Sequence, residues 1–311
     1  MSIKIAIIGA GWFGCHMAMK LKKYYDVSLF DANGIFTGSS IKNQNRLHLG
    51  FHYARSSSTR TLCEKTFDRF NSEYGHLTVS LPLNIYAIPE RNSLIDFNTY
   101  TKIFDNYSFD IVSPDYLKNV SGAINVDEKY INPFFAQAYF ISCLKNIFEL
   151  KYINNLDELS NHYDLVINCT NNLLNPIVKK SFMEPCTIFL YEKILNPEFD
   201  ALTFVDGPLF SIFPFYKNLV TVSDVEHTPN STLSISSKLY LIEQKISYYY
   251  SSFHKNFKYI DHLEAIKAKP IDVSDSRVPV ITMENNIINC FSGKIQGIYY
   301  LEDYVRNLCE F

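Results

Sequence analysis

The side chains best suited to proton transfer lie in one polar and aromatic stretch, residues 34–61. His48, His52 and Tyr53 follow one another closely there, shortly after Arg46. Because an imidazole titrates near neutral pH, His48 could accept the proton of an alcohol substrate. The alternative is that both histidines only hydrogen-bond the loop backbone. The stretch contains no acidic residue and no cysteine, so we predict no metal site at the two histidines.

A second group of residues is suited to binding a dinucleotide. Gly9, Gly11 and Gly14 form a complete G-x-G-x-x-G, and Asp31 follows at the spacing of about 20 residues that such sites use. The first glycine permits a tight turn, the second lets the backbone approach a pyrophosphate, and the third lets helix and strand pack closely. Asp31 can accept hydrogen bonds from the adenosine ribose. The alternative is a glycine-rich turn in another kind of α/β protein.

The surrounding pattern supplies the elements that position these residues. A short β-branched apolar run, 3–8, predicts a buried parallel strand before the motif, and a helical pattern follows the motif. A second strand, 27–30, ends at Asp31. The helix N-terminus would then face the phosphates with free N–H groups and the positive end of its dipole.

Composition restricts the class of protein. The 311 residues, 47% of them hydrophobic, suit two domains or one large one. A net charge of −3 gives no basic surface for nucleic acid or an acidic membrane. The seven cysteines contain no C-x-x-C, so we expect reduced thiols. No run of about 18 apolar residues predicts a membrane span, and a strand beginning at residue 3 leaves no space for a signal peptide, so we expect a cytoplasmic protein.

Beyond the first 58 residues, apolar periodicity predicts both helices and buried strands. The helices are predicted over 59–74, 134–148, 231–257 and 295–308, and the strands over 163–170 and 287–291. From residue 186, short strands separated by turn residues indicate a meander. Near the C-terminus, a strand, the turn Ser292-Gly293-Lys294 and a helix repeat the opening arrangement. The carboxyl edge of such a strand is where open α/β sheets bind ligands.

Four segments together resemble the D-amino-acid oxidase-like family of FAD-dependent oxidoreductases, which includes glycine and sarcosine oxidases and 2-hydroxyglutarate oxidase. In chain order they are GAGWFG with Asp31, the loop GSSIKNQNRLHLGFHY, the strand YDLVINCTNN, and KPIDVSDSRVPVI followed by NCFSGKIQGI. The first segment is the most specific, and the four are spread over nearly the whole chain in the order of the family. The resemblance implies that FAD is the cofactor.

The resemblance also implies which residues contact FAD. Gly9, Gly11 and Gly14 would hold the pyrophosphate and Asp31 the ribose, while the loop and the final turn would border the diphosphate and the isoalloxazine. The other implied contact residues are Trp12, Phe13, Ala32, Ser39, Ser40, Asn45, Arg46, Leu47, His48, Thr170, Gly293, Lys294 and Ile295. A helix N-terminus or a lysine beside the flavin N1 and C2 oxygen would stabilise the negative charge of the reduced ring. The alternative at Gly293-Lys294 is an ordinary turn.

Arg277 occupies the segment in which related enzymes place an arginine for the substrate carboxylate. A guanidinium can hold a carboxylate with two parallel hydrogen bonds. A structural pairing with Asp272 or Asp275 is the alternative. Asn171 stands where the family's third motif usually ends in glycine, and since asparagine tolerates left-handed backbone, the turn can be kept. Some relatives attach flavin covalently through a histidine in the segment that holds His48.

We therefore expect an α/β fold with two domains. A Rossmann-like FAD-binding domain would be built from residues 1–80, 127–178 and 270–311. A substrate domain with an antiparallel sheet would comprise residues 81–126 and 179–269.

The predicted function is that of an FAD-dependent oxidoreductase with His48, Tyr53 and Arg277 as catalytic residues. It would oxidise a CH–NH or CH–OH bond of a small polar substrate, such as an amino acid, hydroxy acid or sugar derivative, by hydride transfer to flavin. Neither nucleic acid nor a membrane is expected as a partner. The loop HLGFHYARS leaves open a non-redox flavin mutase similar to UDP-galactopyranose mutase, and Asn171 leaves open a non-catalytic FAD-binding protein. Asp31 also suits an NAD-dependent dehydrogenase, but the long loop that follows it favours flavin.

Overall fold

A computed structural model describes residues 2–179, 181–229, 232–271 and 276–309. The strands of this part of the chain are β1 (Lys4–Ile8), β2 (Asp26–Asp31), β3 (Arg46–Leu47), β4 (Thr78–Ser80), β5 (Asn84–Pro89), β6 (Asp110–Val112), β7 (Val120–Asn125), β8 (Lys129–Ile131), β9 (Phe148–Leu150), β10 (Leu165–Asn168), β11 (Ser181–Lys193), β12 (Ala201–Phe204), β13 (Phe210–Tyr216), β14 (Leu219–Asp224), β15 (Phe257–Pro270), β16 (Val280–Glu284) and β17 (Ile287–Phe291). The α-helices are α1 (Trp12–Leu21), α2 (Ser57–Tyr74), α3 (Phe97–Ile103), α4 (Pro133–Leu144), α5 (Leu156–Ser160), α6 (Ile235–Tyr249), α7 (Phe253–Asn256) and α8 (Ile298–Arg306).

The first sheet has the strand order β16-β17-β10-β1-β2-β9. All of its pairings are parallel except that of β16 with β17. The two faces of β1 explain its continuous apolar run. Ile5 and Ile7 belong to a core formed with α1, α4 and α8, whereas Ala6 and Ile8 pack on the opposite side with residues of α5. A strand buried on both faces needs no polar alternation, as the sequence predicted.

The second sheet has the order β15-β11-β14-β13-β12-β5-β7-β6. Its pairings are antiparallel except for β12 with β5, which is parallel. Helix α6 covers one face through Ile242, Ile246 and Tyr249. A third, small antiparallel sheet has the order β3-β8-β4. This architecture confirms the predicted α/β class with a second, largely antiparallel sheet, while the domain boundaries stay a prediction.

The helix predicted over 134–148 ends at Leu144, and Phe148 already belongs to β9. Two further predicted elements differ from the structure where β11 and β15 lie. The predicted long helix over 231–257 is divided: α6 ends at Tyr249, α7 is a short turn of helix, and Phe257 already belongs to β15. The first of the short strands predicted from residue 186 is part of the longer β11, which begins at Ser181. Both differences have one cause, because β11 and β15 pair with each other along nearly their whole length. Pairing between segments so distant in sequence leaves no local periodicity to detect.

No helix of the described residues is both long and apolar enough to cross a lipid bilayer.

A buried ionic cluster centred on Glu302 joins α1, α2 and α8. Its carboxylate lies 2.9 Å from Nε2 of His16 and 2.8 Å from Nη2 of Arg69, and Nζ of Lys20 lies 3.5 Å away. Burial alone would raise the pKa of Glu302, but the hydrogen bond with His16 and the neighbouring charges outweigh it and hold that pKa at about 2. The carboxylate is therefore ionised and holds three helices together.

We expect Glu302→Gln to lower the free energy of unfolding by about 3 kcal/mol at pH 7, because the variant removes a buried carboxylate that is bonded to His16 and to the partly exposed Lys20 and Arg69. The folded-state pKa of Glu302 lies below the ordinary value, so its contribution is complete above about pH 5 and is lost as the pH falls towards 2. Urea unfolding at pH 7 and at pH 3.5 measures this. The exposed Glu284→Gln serves as control, and a Glu302→Gln deficit that stays constant with pH contradicts the account.

Candidate cofactor and substrate site

One large cavity of about 1030 Å³ lies at the carboxyl edge of the first sheet. Residues at or just beyond the ends of four parallel strands line it, namely Gly9, Asp31, Thr170 and Gly293. The cavity continues to Phe204, in the second sheet. Its volume is that of the largest ligand pockets, and its position is where open α/β sheets bind ligands.

The glycine motif has the geometry that a pyrophosphate site requires. Gly9 adopts φ +97°, and a Cβ atom on it would lie 2.7 Å from the carbonyl oxygen of Cys169. A Cβ atom on Gly14 would lie 1.8 Å from the carbonyl oxygen of Gly9, so only glycine allows α1 to return this closely to its own turn. The N-cap residue of α1 is Gly11, which has no side chain to cap the helix and borders the cavity. These features fit a bound diphosphate.

Asp31 stabilises the turn as well as facing the cavity. Its Oδ2 accepts a hydrogen bond of 2.8 Å from the backbone N–H of Ala10. Its Oδ1 accepts from the N–H groups of Asn33 and Gly34 at 2.8 and 3.2 Å. The carboxylate thus joins the end of β2 to the glycine turn, which places both beside the same part of the cavity.

Most of the predicted FAD contacts lie in the cavity wall. The wall includes Gly9, Gly11, Trp12, Phe13, Asp31, Ala32, Ser39, Ser40, Asn45, Arg46, His48, Thr170, Gly293, Lys294 and Ile295. Gly14 and Leu47 lie behind it, and the Leu47 side chain is fully buried in the core. The Trp12 ring packs with Phe36 and Phe140, whereas its backbone N–H donates to Oγ of Ser40 at 3.1 Å.

Asn171 forms a left-handed turn after β10. It adopts φ +57°, the left-handed conformation. Its Oδ1 accepts a 2.6 Å hydrogen bond from Oγ of Ser292, which follows β17. The asparagine therefore adds a link between the ends of β10 and β17 that a glycine could not make.

His48 has an acidic partner that is distant in sequence. Its Nδ1 lies 3.2 Å from Oε2 of Glu128, which is fully buried and also accepts a 2.6 Å hydrogen bond from the Tyr86 hydroxyl. Burial would raise the pKa of Glu128, but the charge interaction with His48, together with the hydrogen bonds from His48, Tyr86 and the N–H of Gly50, outweighs burial and lowers that pKa. Burial lowers the pKa of His48 to about 4, despite the opposing effect of Glu128. The pair at neutral pH is therefore a carboxylate and a neutral imidazole.

Gln296 fixes the backbone of the same histidine. Its Nε2 donates to the carbonyl oxygen of His48 at 2.8 Å, and its Oε1 accepts from the N–H of His48 at 3.2 Å. The aromatic ring of Tyr53 lies 5.4 Å from the imidazole of His48. The Tyr53 ring also lies 4.5 Å from Nζ of Lys294, in a cation–π contact. Burial, with a smaller effect of Arg46, lowers the pKa of Lys294 to about 7.

Arg46 joins the loop to the second sheet. Its Nη1 donates to Oγ1 of Thr203 at 3.0 Å, and its Nη2 donates to Oε1 of Gln44 at 2.7 Å. The guanidinium lies 4.4 Å from the ring centre of Phe213. His52 also lines the cavity, and its buried Nδ1 has no hydrogen-bond partner among the described residues.

The structure places Arg277 in the cavity wall, beside the final turn. Its backbone N–H donates to Oγ1 of Thr59 at 3.0 Å, and its carbonyl oxygen accepts from the N–H of Lys294 at 3.1 Å. A Cβ atom on Gly293 would lie 1.8 Å from that same carbonyl oxygen. Asp272 and Asp275, the alternative partners of its side chain, lie outside the described residues.

Sequence reasoning missed Glu128 and Gln296. Neither belongs to a motif, and each reaches His48 across a long stretch of chain. An acid directly before a short strand and a glutamine after a glycine turn are common features. Only the tertiary structure distinguishes these two residues from other polar ones.

Comparison with known proteins identifies the family. FAD-dependent monooxygenase FPY4 of Fusarium mangiferae is 33% identical to this chain over an alignment that is 337 residues long with its gaps. The alignment covers 98% of this chain and 91% of that protein. The chain belongs to this family of FAD-dependent oxidoreductases. Residues 7–70 also match the NAD(P)-binding Rossmann-like domain. The family confirms two predictions, FAD as the cofactor and the oxidoreductase class.

Solved structures show the same fold at low sequence identity. Glycine oxidase from Geobacillus kaustophilus superposes with a TM-score of 0.74 at 10% identity, covering 99% of this chain and 95% of that one. The FAD-bound L-α-glycerophosphate oxidase of Mycoplasma pneumoniae gives a TM-score of 0.72 at 11% identity, covering 98% and 94%. These matches confirm the predicted fold, which the chain shares with both oxidases.

Gly14→Ala should lower the free energy of unfolding by about 3 kcal/mol or more and weaken FAD retention, because the new methyl group meets the backbone of Gly9. Urea unfolding and the flavin-to-protein absorbance ratio after gel filtration measure both effects. Gly75→Ala is the matched control, since its Cβ would meet only Oδ1 of Asn71, at 3.8 Å. Equal flavin retention by the two variants would contradict the role assigned to Gly14.

Proposed function

We propose that this protein acts in the cytoplasm and removes a hydride from a CH–OH or CH–NH carbon of a small polar substrate. The substrate class is an amino acid, hydroxy acid or sugar derivative. One observation carries the proposal: the cavity that begins at the glycine turn also contains His48, Tyr53 and Lys294. A dinucleotide held at one end of this cavity would therefore extend towards residues that can accept a proton or stabilise negative charge.

The residues present fit the cofactor. Gly9, Gly11 and the N-terminus of α1 would hold the pyrophosphate, and Asp31 would hold the ribose. The rest of FAD, from the diphosphate to the isoalloxazine, would be bordered by Ser39, Ser40, Asn45 and the turn at Gly293. When bound, FAD supplies the hydride acceptor. The positive charge of Lys294 would stabilise the negative charge that this transfer brings into the cavity.

His48 and Arg277 would act on the substrate. The Nδ1 of His48 is engaged by Glu128, so Nε2 is the nitrogen that can accept a substrate proton. Arg277 in the cavity wall would anchor a substrate carboxylate. Tyr53, between His48 and Lys294, would keep both groups in place through its ring.

Anaerobic reduction of the purified, FAD-loaded protein by a panel of hydroxy acids, amino acids and sugars tests the proposal. Bleaching of the oxidised flavin spectrum by one class supports it, and no bleaching by any member contradicts it. Interconversion of UDP-galactopyranose by the reduced protein without net oxidation would instead support the mutase alternative. Because a relative is named a monooxygenase, product analysis under ¹⁸O₂ is included, and labelled oxygen in the product contradicts simple hydride removal.

Lys294→Met should slow flavin reduction by about 10- to 100-fold, since a charge aimed at developing negative charge is lost. The pKa of Lys294 is lowered to about 7, so its charge disappears as the pH rises through that value. The wild-type rate should therefore fall above about pH 7, whereas Lys294→Arg should keep its rate. Stopped-flow reduction between pH 6 and pH 9 measures this. A wild-type rate that rises across that range, with Lys294→Met unimpaired, contradicts the prediction.

A further inference from the structure

We propose that Glu128 is a positioning residue that fixes His48 in the tautomer with its proton on Nδ1 and thereby reserves the site for a CH–OH substrate. The inference deepens the proposed function and rests on it. No sequence motif assigns a role to Glu128. Its contacts assign one, because its carboxylate binds both the imidazole of His48 and the backbone of the loop that follows His48.

The carboxylate of Glu128 accepts five hydrogen bonds in two sets. Oε1 accepts from the backbone N–H groups of Leu49, Gly50 and Phe51, at 2.8, 3.0 and 3.3 Å. Oε2 accepts from His48 Nδ1 and from the Tyr86 hydroxyl.

The first set makes the loop fold around the carboxylate, and the second determines what the imidazole can do. A carboxylate only accepts hydrogen bonds, so the nitrogen that faces it must carry the proton.

A proton on Nδ1 determines the state of the other ring nitrogen of His48, Nε2. With the proton on Nδ1 directed at Glu128, Nε2 keeps a lone pair on the side of the imidazole that lines the cavity. Gln296 fixes the backbone N–H and carbonyl of the histidine, and Glu128 holds its Nδ1, so both ends of the residue are anchored. A neutral imidazole held in this way is a directed proton acceptor, as in other sites where a carboxylate orients a histidine.

A directed proton acceptor matters for one of the two bond types. Hydride loss from a neutral amine leaves an iminium cation, which requires no proton acceptor. Hydride loss from an alcohol requires the O–H proton to leave as the C=O double bond forms. In that step the C–H bond breaks with its electron pair passing to FAD, and the O–H bond breaks with its proton passing to Nε2 of His48. The substrate is oxidised to a carbonyl compound and the flavin is reduced.

The tautomer of His48 can be observed without any substrate. The chain has eight histidines, and ¹⁵N-histidine labelling with a His48→Gln difference spectrum assigns the signals of His48. We expect a protonated, pyrrole-like Nδ1 and a pyridine-like Nε2 at pH 7. A proton on Nε2 in the wild-type protein overturns the proposal, whatever the variants do.

Glu128→Gln inverts the hydrogen bonding while preserving the shape of the side chain. Its amide oxygen can still accept from the three loop N–H groups, which leaves its NH₂ group facing Nδ1 of His48. The proton should then move to Nε2, and flavin reduction by an alcohol should slow by about 10²- to 10⁴-fold with little change in KM. Retention of both the wild-type tautomer and the wild-type rate overturns the proposal.

Tyr100→Phe is the matched control. It removes another buried hydrogen bond to the same loop, from the Tyr100 hydroxyl to the carbonyl oxygen of Phe51 at 2.8 Å, without touching the carboxylate. It should keep the tautomer and a near wild-type rate. If Tyr100→Phe slows the reaction as much as Glu128→Gln does, the role of Glu128 is merely structural and the proposal fails. If Glu128→Gln does not fold, the wild-type protein tests the proposal. A proton on Nδ1 of His48 and reduction of the flavin by alcohols support it, and the absence of either overturns it.

The substrate panel separates this inference from the proposed function. Reduction by alcohols supports both. Reduction by amines alone supports the proposed function and overturns the assignment of a CH–OH substrate. If no compound reduces the flavin, the proposed function fails and so does the CH–OH assignment, whereas the NMR result still decides the tautomer.

Discussion

The contact between Gly14 and the carbonyl oxygen of Gly9 is the constraint on which the site depends. It lets α1 begin immediately beyond β1 and pack back against the turn, so that the first N–H groups of the helix face the carboxyl edge of the sheet. Asp31 fixes the same turn from the neighbouring strand through the N–H of Ala10. The end of the cavity at the glycine motif is therefore determined by backbone geometry, which few substitutions could reproduce.

The opposite end of the cavity is organised by side chains from several separate segments. Tyr86 comes from β5 in the second sheet, Glu128 precedes β8 in the small sheet, and His48 follows β3. Arg46 extends from β3 to Thr203 in β12. The reactive region thus lies where the three sheets meet. In the proposed function, proton transfer would depend on the relative placement of these sheets, whereas cofactor binding would depend mainly on one βαβ unit.

The sequence predicted the first of these regions well and the second poorly, and the difference has a physical cause. Gly9, Gly14 and Asp31 act through local backbone geometry, so their types and spacing carry the information. The left-handed turn at Asn171 was predictable for the same reason. Glu128 acts through a fold-dependent contact with His48, and nothing in its own neighbourhood marks it. Likewise, β15 was hidden because its partner β11 lies far away in the chain, and local periodicity alone extended the preceding helix over its start.

The strand orders have a consequence for how this molecule can be divided. The first sheet takes strands from 4–31, 148–168 and 280–291, and the second takes strands from 84–125, 181–224 and 257–270. The chain thus crosses between the sheets several times, and each sheet lacks central strands until distant segments have arrived. Neither the first nor the second sheet can be excised as one continuous fragment that contains all of its paired strands. Recombination between relatives would have to exchange several segments at once. The first and second sheets are therefore expected to be inherited as one unit.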